Sequence, residues 1–103
     1  MDELIVRAVS EVARSSREFY REFSRTHVVS KYRKQELKNA LETYVSIRRG
    51  QNKARIFDNN MQILERCYRT IETMPPETLL YNATMRQFNI LANYLEQLLE
   101  EYN

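Results

Sequence analysis

Residues 77–102, ETLLYNATMRQFNILANYLEQLLEEY, carry Tyr81, Met85, Phe88, Ala92, Leu95, Leu99 and Tyr102 in alternating steps of four and three. That spacing keeps one stripe of an α-helix against its neighbours for three heptads with no polar residue in the stripe, and Leu91 and Leu98 widen it. Upstream, Pro75 and Pro76 stop whatever helix precedes them, because proline disfavours helical geometry in the residue before it and has no N–H for the ladder. Pro76 also suits the first position of the helix that follows.

The preceding stretch repeats the pattern. Residues 51–73 step through Ala54, Phe57, Met61, Leu64, Tyr68 and Ile71, with Ile56, Ile63 and Cys67 as a second row, and the spacing predicts one more helix with a wide apolar face. Residues 31–49 place Leu37, Ala40, Leu41, Tyr44 and Ile47 inward and end in Arg48, Arg49 and Gly50, the one glycine of the chain. Two cations favour the negative end of a helix, and glycine accepts the left-handed conformation that terminates one. Residues 2–25 carry Ile5, Val9, Val12, Ser16, Phe19 and Phe23 in the same alternation. Between the first two segments lie Thr26, His27, Val28, Val29 and Ser30, a β-branched interruption followed by a good N-cap, and the break is placed there.

These segments predict an all-α chain of 103 residues: a small antiparallel bundle of three or four helices in one domain over residues 1–103. One glycine and two prolines argue against a β-protein of tight turns and against a low-complexity linker. A chain this short has a thin core, so completion or extension of the bundle by dimerisation is expected. Connections of a few residues return each helix beside the last, which makes the arrangement up-and-down. Cys67 has no second cysteine to pair with, and Met1 to Val9 carries acidic residues where a secretory signal would be basic. No apolar run approaches the roughly 20 residues that span a bilayer. The reading is a cytoplasmic or other reducing intracellular compartment, with no membrane span.

Charge is distributed unevenly. Residues 1–55 hold 13 Lys or Arg against 7 Asp or Glu, and residues 56–103 hold 3 against 7, so the halves carry +6 and −4. Arg7, Arg14, Arg17, Arg21 and Arg25 fall opposite the apolar stripe of the first helix, and Lys31, Lys34 and Lys38 form a second row. Guanidinium forks match phosphate oxygens, so these residues, with Arg48 and Arg49 beside Gly50, are the candidate contacts to duplex DNA or RNA. The plainer reading of the same residues is a solvated face paired along the helix, Glu3 with Arg7, Arg14 with Glu18 and Lys38 with Glu42, each four apart.

Motifs for chemistry are sparse. His27 is the one imidazole, and there is no HExxH, no paired-cysteine spacing, no nucleophile elbow and no glycine-rich phosphate cradle. Glu96, Glu100 and Glu101 read as a solvated acidic end, since a di-metal bundle also needs histidines on facing helices. No cofactor, metal or small-molecule substrate is expected. Asn82, Ala83 and Thr84 match a glycosylation acceptor, which has no bearing on an intracellular chain.

One short stretch resembles a known family. Phe19, Tyr20, Arg21, Glu22, Phe23, Ser24 and Arg25 are similar to the Leu-Tyr-Arg motif of the small helical LYR adaptor proteins of mitochondria, with Phe19 in place of Leu and no Phe-Arg pair after Arg25. The resemblance, which implies binding to an acyl carrier protein or a respiratory assembly, covers seven residues and is not adopted. The first helix also looks like a mitochondrial presequence, against which stand its acids Asp2, Glu3, Glu11, Glu18 and Glu22.

Taken together, the residues predict a non-enzymatic interaction or regulatory module, an adaptor or inhibitor. It is expected to work as a homodimer and to insert apolar residues, Leu91, Leu98 and Tyr102, between the helices of a protein partner. The alternative is sequence-tolerant binding to a nucleic-acid backbone through the arginine stripe.

Overall fold

The computed structural model describes residues 3–79 and 82–102, so Asp2 and the stripe residue Tyr81 lie outside the described residues. Helix α1 runs over Glu3–Thr26. It ends where the β-branched cluster predicts: His27 takes a φ of 57°, and its N–H donates to the Phe23 carbonyl at 2.8 Å. This is the left-handed termination that glycine usually provides and histidine tolerates better than most side chains. The Thr26 hydroxyl donates to the Glu22 carbonyl and accepts from the Val28 N–H. Ser30 then caps α2, Lys31–Arg48, by accepting from the Arg33 N–H at 3.2 Å.

Gly50 adopts a φ of 77°, as expected, although in a tighter setting than a helix cap. Arg49 at φ −57° and ψ 127° precedes it, and the Gln51 N–H closes onto the Arg48 carbonyl at 3.0 Å. That is a type II turn, whose third residue needs positive φ.

The segment predicted as one helix over residues 51–73 is two elements. A 3₁₀ helix covers Asn52–Phe57, and α3 covers Asp58–Thr73. In 3₁₀ geometry side chains three apart eclipse, so Ala54 and Phe57 enter the core together while Ile56 is left 44% exposed. Met74 is extended before the prolines, and Pro76 starts the single turn α4, Pro76–Leu79. The long last segment is interrupted after that turn. Asn82 accepts from the Thr84 N–H at 2.8 Å, an Asx turn that launches α5, Thr84–Tyr102.

Helix α1 is the centre of the packing: it lies along both α2 and α5, and α3 packs against α5. Its predicted stripe is buried throughout, with Ala8, Ala13 and Ser15 extending the covered arc on either side. Small side chains there let two helices approach one helix. Phe19 meets Phe88 edge-on with ring centroids 5.3 Å apart, the geometry favoured by ring quadrupoles. The antiparallel sense is read from cross-helix pairs. Arg33 near the start of α2 reaches Glu18 and Glu22 near the end of α1, and Phe57 before α3 packs on Tyr102 at the end of α5. The four long helices thus run up, down, up and down, as predicted. The fourth side of the bundle does not close, because α2 and α3 touch only sparingly.

Candidate functional site

The arginine stripe is the first candidate surface, and the fold divides it. Arg17 reaches across to α5, 2.5 Å from Glu96 and 2.6 Å from the Asn93 side chain. Its hydrogen bond holds the Glu96 carboxyl below the usual carboxylate range. Arg14 pairs with Glu11 on its own helix and with Glu36 on α2 at 3.3 Å. Arg33, a residue outside the predicted site, completes that seam at 3.1 Å from Glu36 and 3.8 Å from both Glu18 and Glu22. Burial alone would push the Glu36 carboxyl up, but hydrogen bonds from Arg33 and Arg14 outweigh it and lower it.

The three i,i+4 pairs expected along the helices are not the ones formed among the described residues: Arg14 turns to Glu11 and Glu36, and Glu18 turns to Arg33. Tertiary neighbours offer these long side chains two carboxylates at once, which one helical turn does not. Arg7, Arg21 and Arg25 remain exposed with no ion pair among the described residues.

The lysine row lies elsewhere. Lys38 lines the opening between α2 and α3, while Glu36, two residues away, faces α1. Lys31 and Lys34 precede Lys38 by seven and four residues and share its flank. The two basic rows therefore do not merge into one surface. Arg48 is drawn inward as well: its guanidinium grips the Asp58 carboxylate with two bonds of 2.9 Å, and Arg49 stays exposed.

The predicted partner residues are covered in a similar way. Leu91 is 3% exposed within the single chain, and Leu98 and Tyr102 are half-buried against the core, Tyr102 on Phe57. They form no exposed row.

What the bundle leaves open is the groove between α2 and α3. Two contiguous stretches of it, about 330 and 450 Å³, share Val45 and Glu65. Leu41, Tyr44, Met61 and Tyr68 form its apolar floor, and Val45 stands in it 42% exposed. At one end a polar clasp joins the walls: Asp58 accepts from the Tyr44 hydroxyl at 2.8 Å as well as from Arg48. The Arg48 and Tyr44 bonds hold the Asp58 carboxyl below its ordinary range, and burial together with Asp58 pushes the Tyr44 phenol up. At the other end Lys38, Glu42 and Glu72 surround Tyr68. Burial raises the Tyr68 hydroxyl, and the charges of Glu72 and Glu42 raise it further.

No family model, no curated protein and no solved structure matches the chain. The groove combines a buried apolar floor, the partly exposed Val45 and walls bearing both signs of charge. Among the described residues no three His, Cys, Asp or Glu side chains converge to hold a metal ion, and no helix is long and apolar enough to cross a membrane. Cys67 is buried on α3, and that burial pushes its thiol up, away from the reactive thiolate.

Sequence reasoning missed Val45, Glu65, Glu72 and the clasp residue Asp58. Val45 follows Leu37 and Leu41 at steps of four, which is a readable signal. The acids carried none, because only the approach of α3 to α2 gives them a common site.

Proposed function

We propose that the chain is a non-enzymatic protein interaction and regulatory module whose working surface is the α2–α3 groove. It receives amphipathic helical structure that presents apolar side chains to Leu41, Val45 and Tyr68 and charges of both signs to the rim. The observation that carries this reading is the exposure of Val45 over an apolar floor, on the one side of the bundle that its own helices leave open. A concave opening with an apolar floor and a few polar groups at its rim is the usual form of a recognition surface.

Native size fractionation of cells making the full chain tests it, with and without nuclease. The expected result is a nuclease-resistant assembly well above the 12.4 kDa of the chain that Val45→Arg reduces to monomer mass. Migration as a monomer, or an assembly that survives Val45→Arg, overturns the reading.

A second reading, binding to a nucleic-acid backbone, is favoured by the cations that the fold leaves without acid partners, Arg7, Arg21 and Arg25 on α1 and Lys31 and Lys34 on α2. Fluorescence anisotropy with labelled duplex DNA and duplex RNA is expected to show affinity that falls steeply as salt rises. Absence of binding to either duplex at low salt removes this reading.

A further inference from the structure

We infer that the occupant of the groove is the α2–α3 face of a second copy of this chain, related by a two-fold axis that runs along the groove. The inference rests on the reading of the groove as an interaction surface and adds the identity of the partner.

The two walls have opposite character. On the α2 wall, Lys38 and Arg49 have no ion pair among the described residues, and Glu42 is the one acid that lines it. On α3, Glu72 also has none, and Glu65 has Arg69 of its own helix at 3.6 Å, a side chain 74% exposed. A surface with one basic wall and one acidic wall complements itself, provided that the symmetry brings unlike walls together.

Only one of the two face-to-face arrangements does so. The helices α2 and α3 are antiparallel, joined by Asp58 with Tyr44 and Arg48 at one end and flanked by Lys38 and Glu72 towards the other. A two-fold axis across the groove would lay α2 on the partner's α2, basic wall on basic wall. A two-fold axis along the groove lays α2 on the partner's α3 at the same height, so that Lys38 of each copy faces Glu72 of the other. Like charges placed opposite each other discriminate strongly against the first arrangement. An isologous pair also closes on itself, which is the commonest outcome for a self-complementary patch.

The size of the face sets the class of interface it can form. Helix α2 has 18 residues and is about 27 Å long, and two helices side by side are roughly 20 Å wide. That gives about 500 Å² per copy and about 1,000 Å² in total, the low end for a specific interface. The dimer is therefore expected to be a weak one, with Val45 of each copy laid against the partner's α3 and sealed from water.

Sedimentation velocity of the purified full chain from about 1 to 500 μM, in low and high salt, tests the arrangement. The wild type is expected to pass from monomer to dimer, with high salt weakening the dimer. Lys38→Glu and Glu72→Lys each place two like-charged pairs in the homodimer and are expected to weaken it at least about tenfold. A mixture of these two variants is the decisive sample. In their heterodimer both pairs that cross the interface join unlike charges again, so mixing is expected to restore dimer to about the wild-type level. Repair within one chain cannot imitate that result, since neither variant carries both changes. Circular dichroism melts of each variant confirm that these exposed substitutions leave the fold intact.

A wild type that stays monomeric throughout, or a mixture no more associated than its two components, overturns the inference. If the purified chain is monomeric while the cellular assembly still depends on Val45, a different protein occupies the groove and the interaction reading stands. If the cellular assembly is absent too, both fall.

Discussion

The α1–α5 side of the bundle and the α2–α3 side use similar helices to opposite ends. Along α1–α5, Phe19 and Phe88 meet edge-on, with Arg17 tied to Glu96 and Asn93 at the margin. Along α2–α3 the apolar residues Leu41, Val45 and Tyr68 line a gap, and the walls are joined at one end by Asp58. Periodicity alone makes the two sides look equivalent. The difference is that α1 and α5 bury wide apolar arcs with small residues at their edges, while α2 gives its best face to α1 and has only a flank left for α3.

The largest expected contrast comes from truncation on each side. Phe88→Ala removes a fully buried ring and is expected to destabilise by about 3–5 kcal/mol in urea unfolding, whereas Val45→Ala is expected to change monomer stability by less than about 0.5 kcal/mol. Equal losses would mean that the groove is as well packed as the closed seam. The measurement belongs at low protein concentration, where the proposed self-association does not contribute to the stability read out.

The clasp is the next test. Tyr44→Phe leaves the ring in place and removes the bond to Asp58, with an expected cost of about 1 kcal/mol. Asp58 also gives the molecule an acid dependence. Its carboxyl is held low in the folded chain by Arg48 and Tyr44, so its contribution is full above the unfolded carboxylate pKa near about 4 and is lost as pH falls through the folded value. Asp58→Asn is expected to flatten the acid limb of a stability-against-pH curve only in part, because Glu36 and Glu96 are lowered as well and act in the same direction.

A comparable effect of opposite sign is expected on α1. The Ser15 and Ser16 hydroxyls are buried without a hydrogen-bond partner among the described residues, so Ser16→Ala is expected to raise stability by about 1 kcal/mol in the same unfolding assay. A small, salt-dependent effect belongs to the rim. Glu96→Gln weakens a half-exposed pair with Arg17 and is expected to cost less than about 1 kcal/mol, the loss shrinking as salt rises.

Much of this architecture is legible in the order of residues. The stripe from Ile5 to Phe23, the stop at Pro75, the cap at Ser30 and the left-handed Gly50 all act within a few positions along the chain, and each is found where local chemistry puts it. The 3₁₀ turn at Asn52–Phe57 was hidden because steps of three fit a 3₁₀ helix as well as an α-helix. The interruption before α5 had a signal in Asn82, a residue suited to turns, but the apolar spacing across it reads as unbroken. The candidate surface was far less legible. An arginine stripe drawn on an isolated helix looks continuous, and only the neighbours reveal that Arg14 and Arg17 are engaged by Glu36 and Glu96.

Local rules, propensity, capping and apolar period, thus suffice for the existence of the long helices, for most of their ends and for their antiparallel succession, since each depends on residues within a turn or two of one another. Which apolar residues are consumed and which stay open depends on how four helices share their faces. Leu91, which looks available on its own helix, is covered by the core, while Val45, which looks like one more seam residue, is left beside the groove. That allocation follows from the competition of α2 and α5 for the two flanks of α1, a contest between surfaces that no single segment contains.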